Sequence, residues 1–246
     1  MFTFDATPVK FVGLLLLFAW CTAWSLYEVT RHQGRRHRIS HGLHLGMAVV
    51  MLLMVARPTW SALTAVLPTP AWVAVFGLAT LWFGWLTVDA ARASDRAGRL
   101  HFAGHTLMFA AMTWHLAAMA AKMATMAAGA GSSPQQGTMA AGMGGHGMAG
   151  RADGDVLWWF ALAGLPLMAY LLVAAVGALR RALAPAPARA HVLVGAGGHS
   201  CGDEQPAGTA AARMAAASEF AMNGGMFWMS TGLLTPILPF FALFAF

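Results

Sequence analysis

Residues 101–126 read HFAGHTLMFAAMTWHLAAMAAKMATM. The run is apolar, lacks proline, and is long enough to cross the roughly 30 Å hydrocarbon layer as one helix. At about 100° per residue, His101, His105, Met108, Met112, His115, Met119, Met123 and Met126 all fall within a sector of about 80°. Their 25-residue extent corresponds to about 37 Å of helix, the whole bilayer thickness. Trp114 lies on the opposite side, where a lipid or a neighbouring helix would meet it. A helix of this kind places the chain in a membrane, with a stripe of soft donors facing something other than lipid.

The rest of the chain agrees. Of its 246 residues, 59% are hydrophobic and 10% charged, against about 25% charged in soluble domains. Mean hydropathy is +0.62. A soluble globular protein is excluded, and a polytopic helical membrane protein is expected, with spans near 9–29, 41–60, 70–90, 102–127, 155–178 and 214–243. The first span reads as retained, because no small-x-small cleavage site follows it and Trp20 precedes Cys21 where a lipoprotein signal needs a small residue. Cys21 and Cys201 are the only cysteines, so there is no disulfide framework.

The net charge of +6 does not point to nucleic acid. Eleven of the fifteen basic residues fall in three regions: Arg31, Arg35, Arg36 and Arg38; Arg92, Arg96 and Arg99; and Arg180, Arg181, Arg189 and Arg213. The positive-inside rule places these regions in the cytoplasm and both termini outside a plasma membrane. Two segments are of low complexity, an outer Gly/Ala/Met-rich loop at 128–154 and a cytoplasmic linker at 182–213.

An ungapped shift of 61 residues aligns the first part of the chain with the next. Trp24 falls on Trp85, Glu28 on Asp89, Arg31 on Arg92, Arg35 on Arg96, Arg38 on Arg99, His44 on His105, Met47 on Met108, Met51 on Met112, and Met54 on His115. The sixth span repeats the spacing in Glu219, Met222, Met226 and Met229. The expected fold is therefore an all-α membrane protein of six transmembrane helices, built from three helical-hairpin repeats about a pseudo-threefold axis. The repeats occupy residues 1–63, 64–127 and 155–246, the last carrying the linker. Stacked around one axis, the spans give the layers Met54/His115/Met229, Met51/Met112/Met226, Met47/Met108/Met222 and His44/His105/Glu219. Glu28 and Asp89 each have Arg three and seven residues on, so a cytoplasmic ion pair is their simplest reading.

Met alone fills gaps between helices, but imidazole inside a membrane helix points to function. Thioether and imidazole together select Cu(I) over Zn, Mg or Ca, and weak neutral donors in layers let an ion leave as well as enter. Met119 and Met123 extend the stripe in the fourth span. Met139, Met143, His146 and Met148 in the outer loop form a second soft cluster suited to metal capture, and His37, His41, His101, His199 and Cys201 are candidate receivers in the cytoplasm. The expected function is Cu(I) binding for transport or relay across the plasma membrane, with the bilayer and a copper chaperone or larger membrane complex as partners. No P-loop is present, so movement would be passive or driven by a partner, and no nucleophile or paired-carboxylate constellation marks an enzyme. The alternatives are a b-type haem held by His44 and His105, and a metal-free structural or assembly subunit.

The His/Met helices, basic loops and Ala/Gly/Arg-rich composition resemble an actinobacterial family of integral-membrane proteins known as a domain of unknown function. Locally, Met47/Met51, Met108/Met112 and Met222/Met226 resemble the Met-x3-Met selectivity filter of the high-affinity copper transporters, where three subunits each supply one such helix. That resemblance implies stacked methionine triads from a single chain. It departs from the family in having two spans per repeat, an added His/Glu layer, and no clear Gly-x3-Gly packing helix.

Overall fold

The computed structural model describes residues 7–30, 35–131, 148–184, 210–235 and 237–244, and every regular element among them is helical. The helices are α1 (Pro8–Thr30), α2 (Arg35–Val55), α3 (Arg57–Val66), α4 (Thr69–Arg92), α5 (Arg96–Gly131), α6 (Met148–Leu183) and α7 (Ala210–Ser230), followed by short 3-10 turns at Thr231–Leu233 and Pro239–Phe244.

Turn chemistry sets the boundaries. Proline lacks the N–H that a continuing helix needs, so α2 stops at Val55, Ala56 is extended, and α3 begins with Pro58 in its first turn. The expected span at 41–60 is thus corrected to a helix ending at Val55 and a separate ten-residue helix. Likewise the span expected at 214–243 ends as an α-helix at Ser230, where Gly232 and the prolines at 236 and 239 withdraw helix support. Helix also extends into both low-complexity segments, to Gly131 and from Met148 on one side, and to Leu183 and from Ala210 on the other. Between α4 and α5 the chain turns in three residues, Ala93, Ser94 and Asp95. Asp95 N–H donates to Ala90 O (3.0 Å) and Ser94 N–H to Ala91 O (3.2 Å), a Schellman closure with Ser94 at φ 55°. Asp95 then caps α5, its Oδ1 accepting from Gly98 N–H at 3.0 Å.

α1 packs on α2, α4 on α5, and α6 on α7; α1 also packs on α7, and α5 on α6. α4 meets α2 where the Phe83 ring lies edge-on to His44, centroids 5.7 Å apart. The α1/α7 seam interlocks rings with glycines. A Cβ on Gly13 would stand 2.7 Å from the Trp228 ring, and one on Gly225 would stand 2.6 Å from Phe18, so neither position has room for a larger residue. Lys10 Nζ donates to Thr231 Oγ1 (3.0 Å) and Cys21 Sγ to Ser218 O (3.3 Å) along the same seam.

Among the described residues, four helices are long and apolar enough to cross a membrane: α1, α4, α5 over Arg96–Thr125, and α6 over Trp158–Leu183. α2 supplies the shorter apolar stretch Ile39–Val55, and α7 is not among the four. The reason is position. α1, α4 and α6 bury only 28%, 22% and 28% of their apolar windows, whereas α5 buries 44%. α7 buries Ser218, Asn223 and Ser230 as well as Met222, Met226 and Met229. Outer helices must be apolar towards lipid, with Leu16, Leu78, Leu81 and Val173 exposed; helices shielded by neighbours are free to carry polar groups.

Candidate functional site

The register that puts His and Met on one helix face also puts them inside. Met47, Met51, Met54, Met108, Met112, Met222, Met226 and Met229 are all buried and belong to one contiguous core cluster. These eight thioethers come from α2, α5 and α7. Met168 of α6 joins the same cluster; no repeat spacing marks it, so the stripe pattern did not reveal it. Met119 is half-buried against the cluster, whereas Met123, farther along α5, is 56% exposed.

At one end of the stripe the repeat-related histidines touch. His44 Nε2 and His105 Nδ1 are 2.9 Å apart, and His105 Nε2 lies 3.1 Å from His101 Nε2. His44 Nδ1 lies 2.8 Å from Ser40 O. A carbonyl only accepts, so His44 donates from Nδ1 and its Nε2 must accept from His105 Nδ1–H. His105 Nε2 then accepts from His101 Nε2–H. The backbone of Ser40 thereby orders the tautomers of three rings. Phe83 and Phe109 wall the pair, their centroids 5.7 Å and 5.5 Å from that of His44. His101, a candidate receiver by sequence, is therefore a member of this chain.

Metal–imidazole bonds of about 2.0 Å put two nitrogens about 4 Å apart across a linear ion. The 2.9 Å separation of His44 and His105 is a hydrogen-bond spacing, and an ion entering there has to part the rings. Among the described residues no group of three or more His, Cys, Asp or Glu side chains is arranged to hold a metal. The two ring centroids are 4.4 Å apart, so a macrocycle placed between these two residues would also have to separate them.

Glu219, which the register assigns to the same layer, lies elsewhere: it is 54% exposed and ion-paired with Arg181 of α6. Glu28 accepts from Trp24 Nε1 (3.0 Å) and pairs with His41 Nδ1 (3.3 Å). At the other end of the stripe His115 is buried, with Nδ1 2.7 Å from Ser230 Oγ. That bond leaves Nε2 as the ring nitrogen for a ligand. Trp114 faces α6, as its place opposite the stripe suggests. Its Nε1 donates to Phe160 O at 2.8 Å, and its ring covers Gly164, where a Cβ would stand 2.6 Å from two ring carbons. Met139, Met143, His146, His199 and Cys201 lie outside the described residues, as do the side chains of Met148 and His37.

A family model described as a domain of unknown function (DUF5134) matches residues 36–231. The chain belongs to this family. The matched region contains all three donor-bearing helices. No curated protein and no solved structure matches the chain.

Proposed function

We propose that this DUF5134 chain is a six-helix, pseudo-threefold plasma-membrane protein that takes up Cu(I) along the His/Met stripe of α2, α5 and α7 for transport or relay. The observation that carries the reading is the burial, in one cluster, of Met47/Met108/Met222 and Met51/Met112/Met226. Soft, neutral sulfur donors in a water-poor interior suit Cu(I) and repel hard cations, which demand oxygen.

Helix boundaries support the three-hairpin arrangement. α1 and α4 begin 61 residues apart, as do α2 and α5, and α2 and α7 coincide at both ends at a shift of 175. The packing is cyclic in the same sense, since each outer helix touches the inner helix of another hairpin: α1 with α7, α6 with α5, α4 with α2. α2, α5 and α7 are then the inner three. Met54, His115 and Met229 form the extracytoplasmic mouth, where Met139, Met143, His146 and Met148 would deliver the ion. His44 and His105 receive it at the cytoplasmic end once their mutual hydrogen bond opens, and a copper chaperone or a larger membrane complex is the partner there. Glu219 would join that layer only by leaving Arg181. The local likeness to the copper-transporter filter supports the same ion. No covalent chemistry is required of the chain.

The test is copper per chain, by elemental analysis of detergent-purified protein loaded with Cu(I) under reducing conditions and desalted. At least one copper is expected. Met51, Met112 and Met226 replaced together by Leu keep the volume of the core and should lose the metal while retaining the thermal transition. Equal copper in both proteins overturns the filter reading. No copper and no Soret absorbance in the parent protein makes the stripe packing alone, as in a scaffold subunit.

A further inference from the structure

A second feature lies on the outer surface, where α1, α6 and α7 enclose an apolar groove of about 520 Å³. Leu172 and Val176 of α6 form one wall, Phe220, Gly224 and Phe227 of α7 the other, and Leu16 of α1 closes the side. Followed along each helix, both walls end on arginine. Leu172, Val176 and Arg180 stand four residues apart, and Phe227, Gly224, Phe220 and Arg213 follow a three-four-seven spacing, so each set shares one helix face. α6 and α7 run antiparallel, and Arg213 Nε donates to Ala182 O at 2.9 Å. Both arginines therefore stand at the same end of the groove. Each is exposed and, unlike the neighbouring Arg181, neither has a carboxylate partner among the described residues.

We propose that this groove holds one acyl chain of an anionic phospholipid, with its phosphate between Arg180 and Arg213. The dimensions match. Gly224 to Arg213 is 11 residues and Leu172 to Arg180 eight, about 16 Å and about 12 Å of helix, against about 15 Å for one hydrocarbon leaflet, so a chain in the groove brings its headgroup to the guanidinium level. Planar guanidinium groups bind phosphate bidentately. Two cations beyond one end of a wholly apolar slot, neither paired with a carboxylate among the described residues, call for a net-negative headgroup, and the positive-inside orientation puts them at the anionic cytoplasmic leaflet. A partner helix about 10 Å across fits such a slot less well than a single hydrocarbon chain does.

Full-length protein, delipidated in detergent, would be titrated with phosphatidylglycerol or phosphatidylcholine, and retained lipid counted by native mass spectrometry. One phosphatidylglycerol per chain is expected. Each basic side chain at an anionic surface is worth about a fivefold preference, hence roughly 25-fold for the pair. R180Q/R213Q should erase that preference while leaving weak retention of both lipids. Val176→Trp, which fills the groove from an exposed position, should abolish retention of both. Equal retention of the two lipids by the parent protein, or retention unchanged in either variant, overturns the proposal. So does a lipid-independent dimer that Val176→Trp dissociates, which would make the occupant a second copy. Retention is read without copper, so the outcome is separate from that of the copper test.

Discussion

Replacing Gly164 by Ala tests the contact that sets the rotation of α5. The new Cβ would lie 2.6 Å from Trp114 Cε2 and Cη2, and closer still to Cζ2. Carbon atoms sit comfortably at about 3.5–4.0 Å, so the ring or α6 must move by about 1 Å or more. Overpacking of this size costs about 1–3 kcal/mol. If the ring swings away it also forfeits the Nε1–H bond to Phe160 O, about 1 kcal/mol. Against this, Ala is a better helix former than Gly by about 1 kcal/mol. The net expectation is destabilisation by about 1–3 kcal/mol. In a Trp114→Leu background the obstructing ring is gone, and Gly164→Ala should become neutral or stabilising by up to about 1 kcal/mol. Thermal or denaturant unfolding of the four proteins in detergent closes the double-mutant cycle. An equal cost of Gly164→Ala in both backgrounds refutes the assigned packing of α5 on α6, and with it the inward orientation of the stripe.

Ser94 occupies the left-handed region at φ 55°, where a side chain is penalised and glycine is not; Ser94→Gly should raise the unfolding midpoint, by about 0.5–1 kcal/mol, and a lowered midpoint contradicts the Schellman turn. The donor order set by Ser40 O makes His44 an Nδ1–H tautomer, and imidazole-¹⁵N NMR should show coupling across the N–H···N contact with His105; an Nε2–H tautomer at His44 breaks the chain as drawn. Cys21 is fully buried with its thiol on Ser218 O, so in a Cys201→Ser protein maleimide should label it only after unfolding, and labelling within minutes would show the α1/α7 seam to be open. The Arg181–Glu219 pair is more than half exposed, so Arg181→Gln should change stability by less than about 1 kcal/mol; a larger loss would mean that the pair anchors α7.

How far each feature was legible follows from how local its cause is. The Schellman turn and the Asp95 cap depend on contiguous residues, and they fall in the stretch that the expected spans at 70–90 and 102–127 leave between them. The breaks at Val55 and Ser230 were equally local, since Pro58, Gly232 and two prolines stand in the chain. Hydropathy averaged over a window nevertheless carried the expected spans across them, because proline and glycine barely lower such a mean. Met168 and Ser230 were out of reach, because neither repeats and each matters only through what another helix presents to it.

From the sequence alone came the helical class, the membrane setting, the 61-residue register and the angular coincidence of His44, Met47, Met51 and Met54 with their counterparts. All of these follow from composition and from a fixed 100° turn per residue. Only the tertiary structure decided what each stripe meets. It set His44 against His105 at hydrogen-bond distance, added His101 to that chain, turned Glu219 out to Arg181, and seated Trp114 on Gly164. A helix dictates which of its own residues share a face. Which partner fills that face depends on close packing and hydrogen-bond satisfaction between segments tens to hundreds of residues apart, and no period within one segment encodes that choice.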